Sequence, residues 1–354
     1  MTTFLQFHLL TSYGPSNPNR DDQGRPKQAM VGGAPRLRMS SQSLKRALRE
    51  SAFFALDLQG NIGTRTKRLY ALLVEHLREK GVPEGDIPKA AETAAAIFGK
   101  LETSKKDEGA RLATTLAFIS PQERKLAEEL AEKVAAGEDL PKEKDLKKMV
   151  LRRADGAVDI AMFGRMLADD ADFNRDAAVQ VAHAITTHAS QVEEDWYSAV
   201  DDLNKAEDTG AGHLGETGYG SGIYYQYVCI DCDLLIENLD GDRELAVRAV
   251  EALARALAQT TPRGKQNSFA HHPRAHLVLA EAGRQAPRDL SGAFFAPVKE
   301  QPLMASSVKA LDETRAAIDQ AYGRVWDSDC RMEVGVGGTL DEIVRFAGET
   351  VRAA

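Results

Sequence analysis

The pattern of apolar and polar positions predicts β-strands near both ends of the chain and in its middle. Apolar runs of strand length are bounded there by turn-forming residues. The candidates are "FLQFHLL" (4–10), "VDIAMFGRM" (158–166), "AVQVAHAITTH" (178–188), "GIYYQYVCIDCDLLI" (222–236) and "HLVLAEAG" (276–283). The segment 11–28, "TSYGPSNPNRDDQGRPKQ", carries enough Gly, Pro, Asn and Asp to predict a loop.

A helical period occupies much of the remaining chain. Between the early and late strands, four charged segments rich in Ala and Leu predict short helices that pack together: 66–81, 86–100, 120–137 and 143–154. Three more amphipathic segments predict helices at 243–260, 307–323 and 339–354. Strands from both ends of the chain that enclose a helical insertion indicate an α+β fold.

One further helix is predicted from Ser41 to Leu56, within and behind "RLRMSSQSLKRALRES" (36–51). Ser40 or Ser41 suits its N-cap, and apolar residues follow at helical spacing. The polar face of this helix carries Gln42, Lys45, Arg46 and Arg49, with three cations at i, i+3 and i+4 spacing.

Charge is distributed unevenly. The chain carries 45 Lys and Arg against 53 Asp and Glu, a net charge of -8, yet residues 20–49 hold eight basic residues against two acidic ones. Cations beside the amides of a helix start can hold a phosphodiester backbone without reading its bases. A solvated basic helix face is the alternative interpretation.

The order of several motifs resembles one family. "NRDDQGRPKQAMVGGAPRLRMSSQSLKRALRES", "GAVDIAMFGRM", "AHAITTH", "DWYSAVDDL" and "GHLGETGYGSGIYYQY" occur in that sequence along the chain. They resemble the CasC family, the repeated backbone subunits of type I-E CRISPR Cascade complexes, in the RAMP superfamily. The resemblance is strongest over the first 55 residues and over 158–227.

The resemblance implies an RRM-like (ferredoxin-like) palm, a helical fingers insertion and a protruding thumb. The palm would comprise residues 1–60, 158–191 and 222–354, with the fingers at 61–157 and the thumb at 192–221. Its function would be non-catalytic, without cofactor or metal. Several copies would stack along a CRISPR RNA in a complex with other Cascade subunits, and would present the RNA bases for pairing with target DNA.

The resemblance also implies site residues. The RNA backbone would contact Arg20, Lys27, Arg38, Ser40, Gln42, Lys45, Arg46, Arg49, Arg165 and Met166. Arg49 stands where the family usually has a lysine, which keeps the charge but changes the contact geometry. Met166 would wedge against a base, and packing in the core is its alternative role.

The implied thumb would pack against bases or against the neighbouring subunit. Its candidates are Trp196, Tyr197 and Leu214, and a core or hairpin role for Trp196 is the alternative. In the fingers, a lysine-rich helix would contact target DNA through Lys142, Lys144, Lys147 and Lys148, unless that helix face is merely solvated. Gly212, Gly215, Gly218, Gly220 and Gly222 are interpreted as hinge and turn residues.

Two other functions stay open. A RAMP-type endoribonuclease would use a thumb carboxylate such as Asp195, with His183 or His188 as its acid or base. A pure assembly scaffold would use Lys45 and Arg49 only for salt bridges between subunits. The sequence shows no signal peptide and no apolar run of membrane-spanning length, so a cytoplasmic location without membrane contact is expected.

The pair Cys229 and Cys232 forms a C-x-x-C. In a strand its two side chains point to opposite faces, and no helix N-terminus is expected that would lower a thiol pKa. A zinc site would need two further ligands, and His272 with His276 offers an unusual spacing. We therefore expect neither redox nor metal chemistry from this pair.

Overall fold

The structure, a computed structural model, describes residues 2–105, 110–167, 170–199 and 213–354. The side chains of residues 143–144, 199 and 213–214 lie outside this description. The chain forms two compact units. The first comprises residues 1–54, 180–231 and 250–354, and the second comprises residues 55–179 and 232–249. The predicted palm, fingers and thumb boundaries stay a prediction.

The strands confirm the predicted α+β class. In chain order they are β1 (Phe4–Ser16), β2 (Gln28–Val31), β3 (Ala34–Met39), β4 (Thr64–Thr66), β5 (Leu101–Thr103), β6 (Arg111–Ala113), β7 (Ala117–Ile119), β8 (Val179–Val181), β9 (Ala184–Thr186), β10 (Glu193–Ala199), β11 (His213–Asp231), β12 (Ala275–Gly283) and β13 (Ser328–Glu333). The main sheet has the order β13-β12-β1-β11-β9-β3-β2, and β8 and β10 also pair with β11. Short antiparallel pairs form between β4 and β7 and between β5 and β6.

Most helices follow the predicted segments, but the single helix predicted from Ser41 to Leu56 is interrupted at Glu50 and Ser51 and forms two helices. They are α1 (Ser41–Arg49), α2 (Ala52–Asp57), α3 (Leu69–Glu79), α4 (Ile87–Ala95), α5 (Pro121–Ala135), α6 (Glu143–Val150), α7 (Val158–Phe163), α8 (Cys232–Asn238), α9 (Arg243–Gln259), α10 (Gln266–Phe269), α11 (Leu303–Tyr322) and α12 (Leu340–Ala353). The four helices predicted between residues 66 and 154 are confirmed as α3 to α6, and they share one apolar core. Over the described residues, no helix has the length and apolar character that a membrane span requires.

One strand prediction is wrong. "VDIAMFGRM" contains α7, and all six residues of that helix are buried. A fully buried segment has no polar face, so its apolar run does not distinguish helix from strand. The carboxylate of Asp159 accepts a hydrogen bond from the Gly63 N–H at 2.7 Å, which satisfies a polar group inside the second unit.

Strand β1 is longer than its apolar run predicts. It pairs with β11 on one side and with β12 on the other, and its register with β11 continues through Tyr13 to Ser16 after a bulge. The predicted loop therefore begins at Asn17 rather than at Thr11. Because β1 is buried on both faces from Leu5 to Leu10, its sequence reads as a continuous apolar run instead of an alternating one.

The glycines interpreted as hinges lie inside β11, except Gly212, which is outside the described residues. An added Cβ at Gly220 would approach Leu37 to 2.5 Å, and one at Gly222 would approach Thr186 to 2.8 Å. These glycines thus allow neighbouring side chains to lie against the strand. The hinge and turn interpretation is corrected to close packing.

The C-x-x-C interpretation also changes in one respect. Strand β11 ends at Asp231, and Cys232 is the first residue of α8, so a helix does begin at this pair. Both cysteines are buried, and neither is part of a disulfide bond. Burial raises the pKa of Cys229 to about 11, which disfavours the reactive thiolate.

The sheet of the first unit contains a buried polar cluster around Glu281 on β12. Its fully buried carboxylate accepts hydrogen bonds from the ring N–H of His8 at 3.2 Å, from Arg288 at 3.1 Å and from Arg315 at 2.7 Å. Because the Leu290 N–H donates to the Tyr225 hydroxyl, that hydroxyl can donate to His8 Nδ1. The ring is then neutral, with its proton on Nε2.

This cluster should be costly to break. We expect Glu281→Gln to lower the free energy of unfolding by about 3–5 kcal/mol, because two guanidinium groups lose their buried counter-charge. Urea denaturation measures this loss. Asp329→Asn is the matched control, since it removes a partly exposed partner of the same Arg315 and should cost under about 1 kcal/mol. Equal losses of unfolding free energy in the two variants would contradict the special role of the buried Glu281 carboxylate.

The same cluster predicts a pH dependence. Burial lowers the pKa of His8 below its ordinary 6.5, so the unfolded chain binds a proton there that the folded chain does not. The free energy of unfolding should therefore fall as the pH drops below about 6.5, by at most about 1.4 kcal/mol per pH unit from this group. The variant His8→Gln should have a shallower slope between pH 6.5 and 5.5 than wild type or the control His276→Gln. An unchanged slope in His8→Gln would contradict the assignment of this pH dependence to His8.

Candidate nucleic-acid interface

Helix α1 carries the predicted basic face. Its residues Leu44, Ala47 and Leu48 are buried, as the spacing predicts. Their burial turns the opposite, polar face outward. On that face Gln42 and Arg46 are exposed, whereas Lys45 and Arg49 are half-buried. The last turn of the helix holds Arg46 and Arg49, where cations are favoured by the helix dipole.

One cation of this face has an acidic partner beside it. Arg46 Nε donates to Glu50 Oε1 at 2.9 Å, one helical turn away. The arginine side chain is 74% exposed, so solvent weakens this pair, and it contributes little to stability. Arg46 can exchange that partner for a phosphate at small cost.

The start of α1 is fastened to the preceding loop. Ser40 occupies the N-cap position, as predicted, but its hydroxyl makes no capping hydrogen bond. Its backbone N–H donates to Asn19 Oδ1 at 2.7 Å, and the residue is buried. Ser40 thus helps to position the helix, and the predicted RNA contact at this residue stays a prediction.

Lys27 and Arg38 lie side by side next to this helix start. The Arg38 N–H donates to the Lys27 carbonyl at 2.9 Å, and the Arg38 guanidinium donates to His183 Nδ1 at 3.0 Å. Burial and then the charges of Arg38 and Lys27 lower the pKa of His183, so the ring is neutral between two cations. Over the described residues, neither cation forms an ion pair with a carboxylate.

The loop that carries Arg20 and Lys27 is tied to the sheet. Asn17 Nδ2 donates to the carbonyls of Gly24 and Gly218, both at 2.9 Å. Arg25 forms ion pairs with Glu194 at 2.7 Å on β10 and with Glu216 at 3.3 Å on β11. Arg20 is exposed at the edge of this loop, where it bridges to Pro26.

Arg165 does not lie on this surface. Its side chain is 1% exposed inside the second unit, where it forms a two-pronged ion pair with the carboxylate of Glu123. The same carboxylate accepts the Ser120 N–H in the capping box of α5 and the Arg152 N–H. The predicted phosphate contact is therefore replaced by a structural role for Arg165.

The next residue has the opposite environment. Met166 is 84% exposed, so the alternative of core packing is excluded. A large apolar side chain in that position is available to a partner molecule.

Strand β10 presents the two predicted aromatic residues. Trp196 is 69% exposed and Tyr197 is 48% exposed, so a core role for Trp196 is excluded. Adjacent strand residues point to opposite faces, and the Tyr197 ring lies over Gly215, where an added Cβ would approach it to 2.3 Å. The side chain of Leu214 lies outside the described residues.

The carboxylate of the nuclease alternative, Asp195, is exposed on β10 opposite Thr217. The proposed histidine partners are engaged elsewhere. His188 donates from Nδ1 to the Ala189 carbonyl at 2.9 Å and accepts the Ile223 N–H at Nε2. Because backbone groups occupy both of its nitrogens, His188 is poorly suited to move protons. Over the described residues, no cluster of His, Cys, Asp or Glu could hold a metal ion.

Only some of the lysines predicted to contact DNA at helix α6 are exposed to solvent. Lys147 is bound to both carboxylate oxygens of Asp170 at 3.0 Å, and it is largely buried. Lys142 is exposed, and Lys148 is exposed with a weak pair to Asp145 at 3.6 Å. The side chain of Lys144 lies outside the described residues. The pairing of Lys147 weakens its case as a DNA contact.

Sequence reasoning missed one group of cations. Arg263, Lys265 and Arg274 line a cavity together with residues 51–53, directly after α1. Arg263 Nη2 donates to the carbonyl of Glu50, the C-cap of that helix, at 3.3 Å. The available signal was the segment 260–274, "TTPRGKQNSFAHHPR", which has no acidic residue.

Comparisons with protein families and with solved structures found matches. The model of the CT1975-like protein family matches residues 5–340. A solved chain of a CRISPR RNA-guided surveillance complex in a pre-nicking state is 29% identical, with a TM-score of 0.83 over 99% of this chain and 100% of that chain. A chain of another CRISPR RNA-guided surveillance complex is 25% identical, with a TM-score of 0.73 over the same shares. No curated protein matches.

The environment of Arg165 gives a prediction. We expect Arg165→Gln to lower the free energy of unfolding of the second unit by about 3–5 kcal/mol, because the buried Glu123 carboxylate loses its counter-charge. The neighbouring Met166→Ala should change it by under about 0.5 kcal/mol, since its side chain is exposed. Denaturant titration of both variants measures this difference, and a stable Arg165→Gln would refute the structural role.

Proposed function

This chain belongs to the CT1975-like protein family, and from that membership we propose that it is a CRISPR RNA-binding backbone subunit of a Cascade surveillance complex, of the CasC type I-E kind. It acts in the cytoplasm without catalysis. Several copies stack along the guide, hold its phosphates and present its bases to target DNA. The matches to chains of CRISPR RNA-guided surveillance complexes over nearly the whole chain support this proposal.

The observation that carries the proposal is the convergence of cations at the start of α1. Lys27 and Arg38 lie beside each other, and Arg38 precedes the N-cap of the helix by two residues. The exposed face of α1 continues this basic surface through Arg46 to the helix end. Such a surface attracts a polyanion irrespective of sequence, although the whole chain is acidic.

The exposed apolar residues support a role at the bases. Met166 and Trp196 present large side chains to the surroundings, and an unstacked base offers each of them an apolar or aromatic face. We assign Met166 and the aromatic pair on β10 to contacts that separate or support bases of the guide. Sequence recognition is then left to pairing between guide and target.

Contact with target DNA is assigned to the exposed lysines of the second unit. Lys142 and Lys148 are the described members of the predicted set whose ammonium groups are exposed. The phosphates of DNA of any sequence can bind to these lysines, because lysine acts as a point charge and does not read bases.

The experiment that tests the proposal is purification of the protein after co-expression with its partner subunits and a CRISPR array. We expect an absorbance ratio at 260 and 280 nm typical of a nucleoprotein and, on a denaturing gel, one discrete RNA protected at regular intervals. Protein free of nucleic acid, with assembly insensitive to RNase, would favour a pure scaffold. RNA cleavage that Asp195→Asn abolishes while binding persists would favour the endoribonuclease.

The basic helix gives a quantitative prediction. We expect Lys45→Ala combined with Arg49→Ala to weaken binding of all single-stranded RNAs alike, because phosphate contacts carry no sequence information. The slope of log affinity against log salt should become shallower by roughly 0.7 for each phosphate that the variant no longer neutralises.

The matched control is Arg284→Ala combined with Lys309→Ala, which removes the same charge from exposed positions of the first unit. Filter binding at several salt concentrations measures both slopes. Losses confined to particular RNA sequences, or equal losses in the control, would contradict the assignment of α1.

A further inference from the structure

The first unit contains a basic cavity that begins where α1 ends. Its volume is about 720 Å³, within the range of small-molecule sites. Three permanent cations line it, with amides and hydroxyls between them, and the described lining contains no carboxylate. The main lining residues are Phe53, Arg263, Lys265, Gln266, His272 and Arg274.

Carbonyl oxygens hold the two arginines of this cavity. Arg263 donates to the carbonyl of Glu50, and Arg274 donates to the carbonyl of Gln259 at 2.7 Å. A carbonyl orients a guanidinium but does not neutralise its charge. Within the part of the chain that the structure describes, neither arginine forms an ion pair, and Lys265 forms none either. The cavity therefore keeps its positive charge in an acidic protein.

The segment that forms one wall is conformationally fixed. Lys265 and Ala270 flank the short helix α10 with φ angles of 51° and 49°, a left-handed conformation that side chains disfavour. Hydrogen bonds hold this wall, from Gln266 Nε2 to the His271 carbonyl and between His271 Nε2 and the Pro262 carbonyl. Residues kept in such conformations concentrate at binding sites.

The lining groups match the parts of a nucleotide. Guanidinium and ammonium groups bind phosphate oxygens. The half-buried ring of Phe53 offers a face for stacking. The amide nitrogen of Gln266 donates to the His271 carbonyl and lies 3.3 Å from His272 Nδ1, so its amide oxygen is the group that can accept a hydrogen bond from a sugar or base edge. Arg263 contacts the C-cap of α1. An RNA strand that follows the basic face of that helix therefore reaches the mouth of the cavity.

We propose that this cavity is a second nucleic-acid site, which binds a nucleotide phosphate through Arg263, Lys265 and Arg274. The proposal rests on the proposed RNA-binding function for the source of that nucleotide, which is the RNA strand that leaves α1. A free mononucleotide carries the same chemistry and is the other source.

The test uses the full chain with Lys265→Ala combined with Arg274→Ala. Arg263 is kept because its contact with Glu50 also supports α1. The control is Arg284→Ala combined with Lys309→Ala. Arg274 and Arg284 stand at opposite ends of β12, roughly 30 Å apart at the rise of a strand. Lys309 lies on α11 and does not line the cavity, so the control removes equal charge away from it.

The first arm measures the binding and photo-crosslinking of single-stranded RNA that contains 4-thiouridine. We expect the cavity variant to lose affinity on the order of tenfold at 0.1 M salt and to have a salt slope shallower by roughly 0.7 per phosphate contact. In wild type, photo-crosslinks mapped by mass spectrometry should include Phe53 or residues 263–274, and the cavity variant should lose them. The control should keep both affinity and crosslinks.

The second arm titrates AMP and inorganic phosphate into wild type and the cavity variant. Weaker AMP binding in the variant, with unchanged RNA affinity, would support the site with a free nucleotide as its source. No change in either arm would overturn the proposal. So would a cavity variant that loses only self-association in the absence of nucleic acid, since a second copy would then occupy the cavity.

The two proposals fail in distinguishable ways. If wild type binds no RNA in any assay, the proposed function fails. If wild type binds RNA, and Lys45→Ala with Arg49→Ala weakens that binding while the cavity variant behaves as the control in both arms, only the cavity assignment fails.

Discussion

The antiparallel pairing of β1 with both β11 and β12 is the constraint on which the candidate surface depends. Its register pairs Ser16 with Gly220, and Asn17 then reaches the Gly218 carbonyl at 2.9 Å. The basic loop that follows is thereby rooted on the sheet. The chain returns along β3, and the hydrogen bond from Ser40 to Asn19 fixes the start of α1 against the same loop. A slip of one residue in the register would exchange the side chains that β1 presents to its two buried faces, and it would displace the loop that follows β1.

The group that each cation contacts decides whether the cation has a structural role or stays available at the surface. Arg36 is fully buried and donates to the carbonyls of Thr186 and Phe294, so it contributes to packing although it belongs to the basic segment of the sequence. Arg165 also has a structural role, but it forms a buried ion pair with Glu123. Lys27 and Arg38 have no carboxylate partner among the described residues and stay near the surface. Arg36 and Arg165 are thus structural cations, whereas Lys27 and Arg38 keep a positive charge near the surface, which supports their proposed role in binding a polyanion.

The sequence predicted most helices and the central strands because their apolar spacing is local. It could not predict the pairing of Arg165 with Glu123, since the two lie 42 residues apart and a buried arginine reads like an exposed one. Strand β13 was missed because "SDCRME" lacks an alternating apolar pattern, and Arg331 on this strand forms ion pairs with Asp312 and Glu333. The basic cavity was missed because its walls come from segments about 200 residues apart. Such contacts follow from tertiary structure, and the local sequence signals at most the basic character of one wall of the cavity, the segment 260–274.

The exposed residues Met166 and Trp196 provide apolar surface that a partner can cover. Most large apolar side chains of both units are buried, so the exposure of Met166 and Trp196 is not a consequence of a poor core. Burial of one such side chain stabilises an assembly by about 1.5–3 kcal/mol, a gain that the isolated chain does not realise. Charge alone would bind a phosphate backbone in any register along the surface. An apolar side chain that enters between bases fixes that register, because it fits only where the stack opens. In the proposed function, the basic face of α1 holds the phosphates of the guide and the exposed residues Met166 and Trp196 fix its register, two different tasks that a guide held for pairing needs.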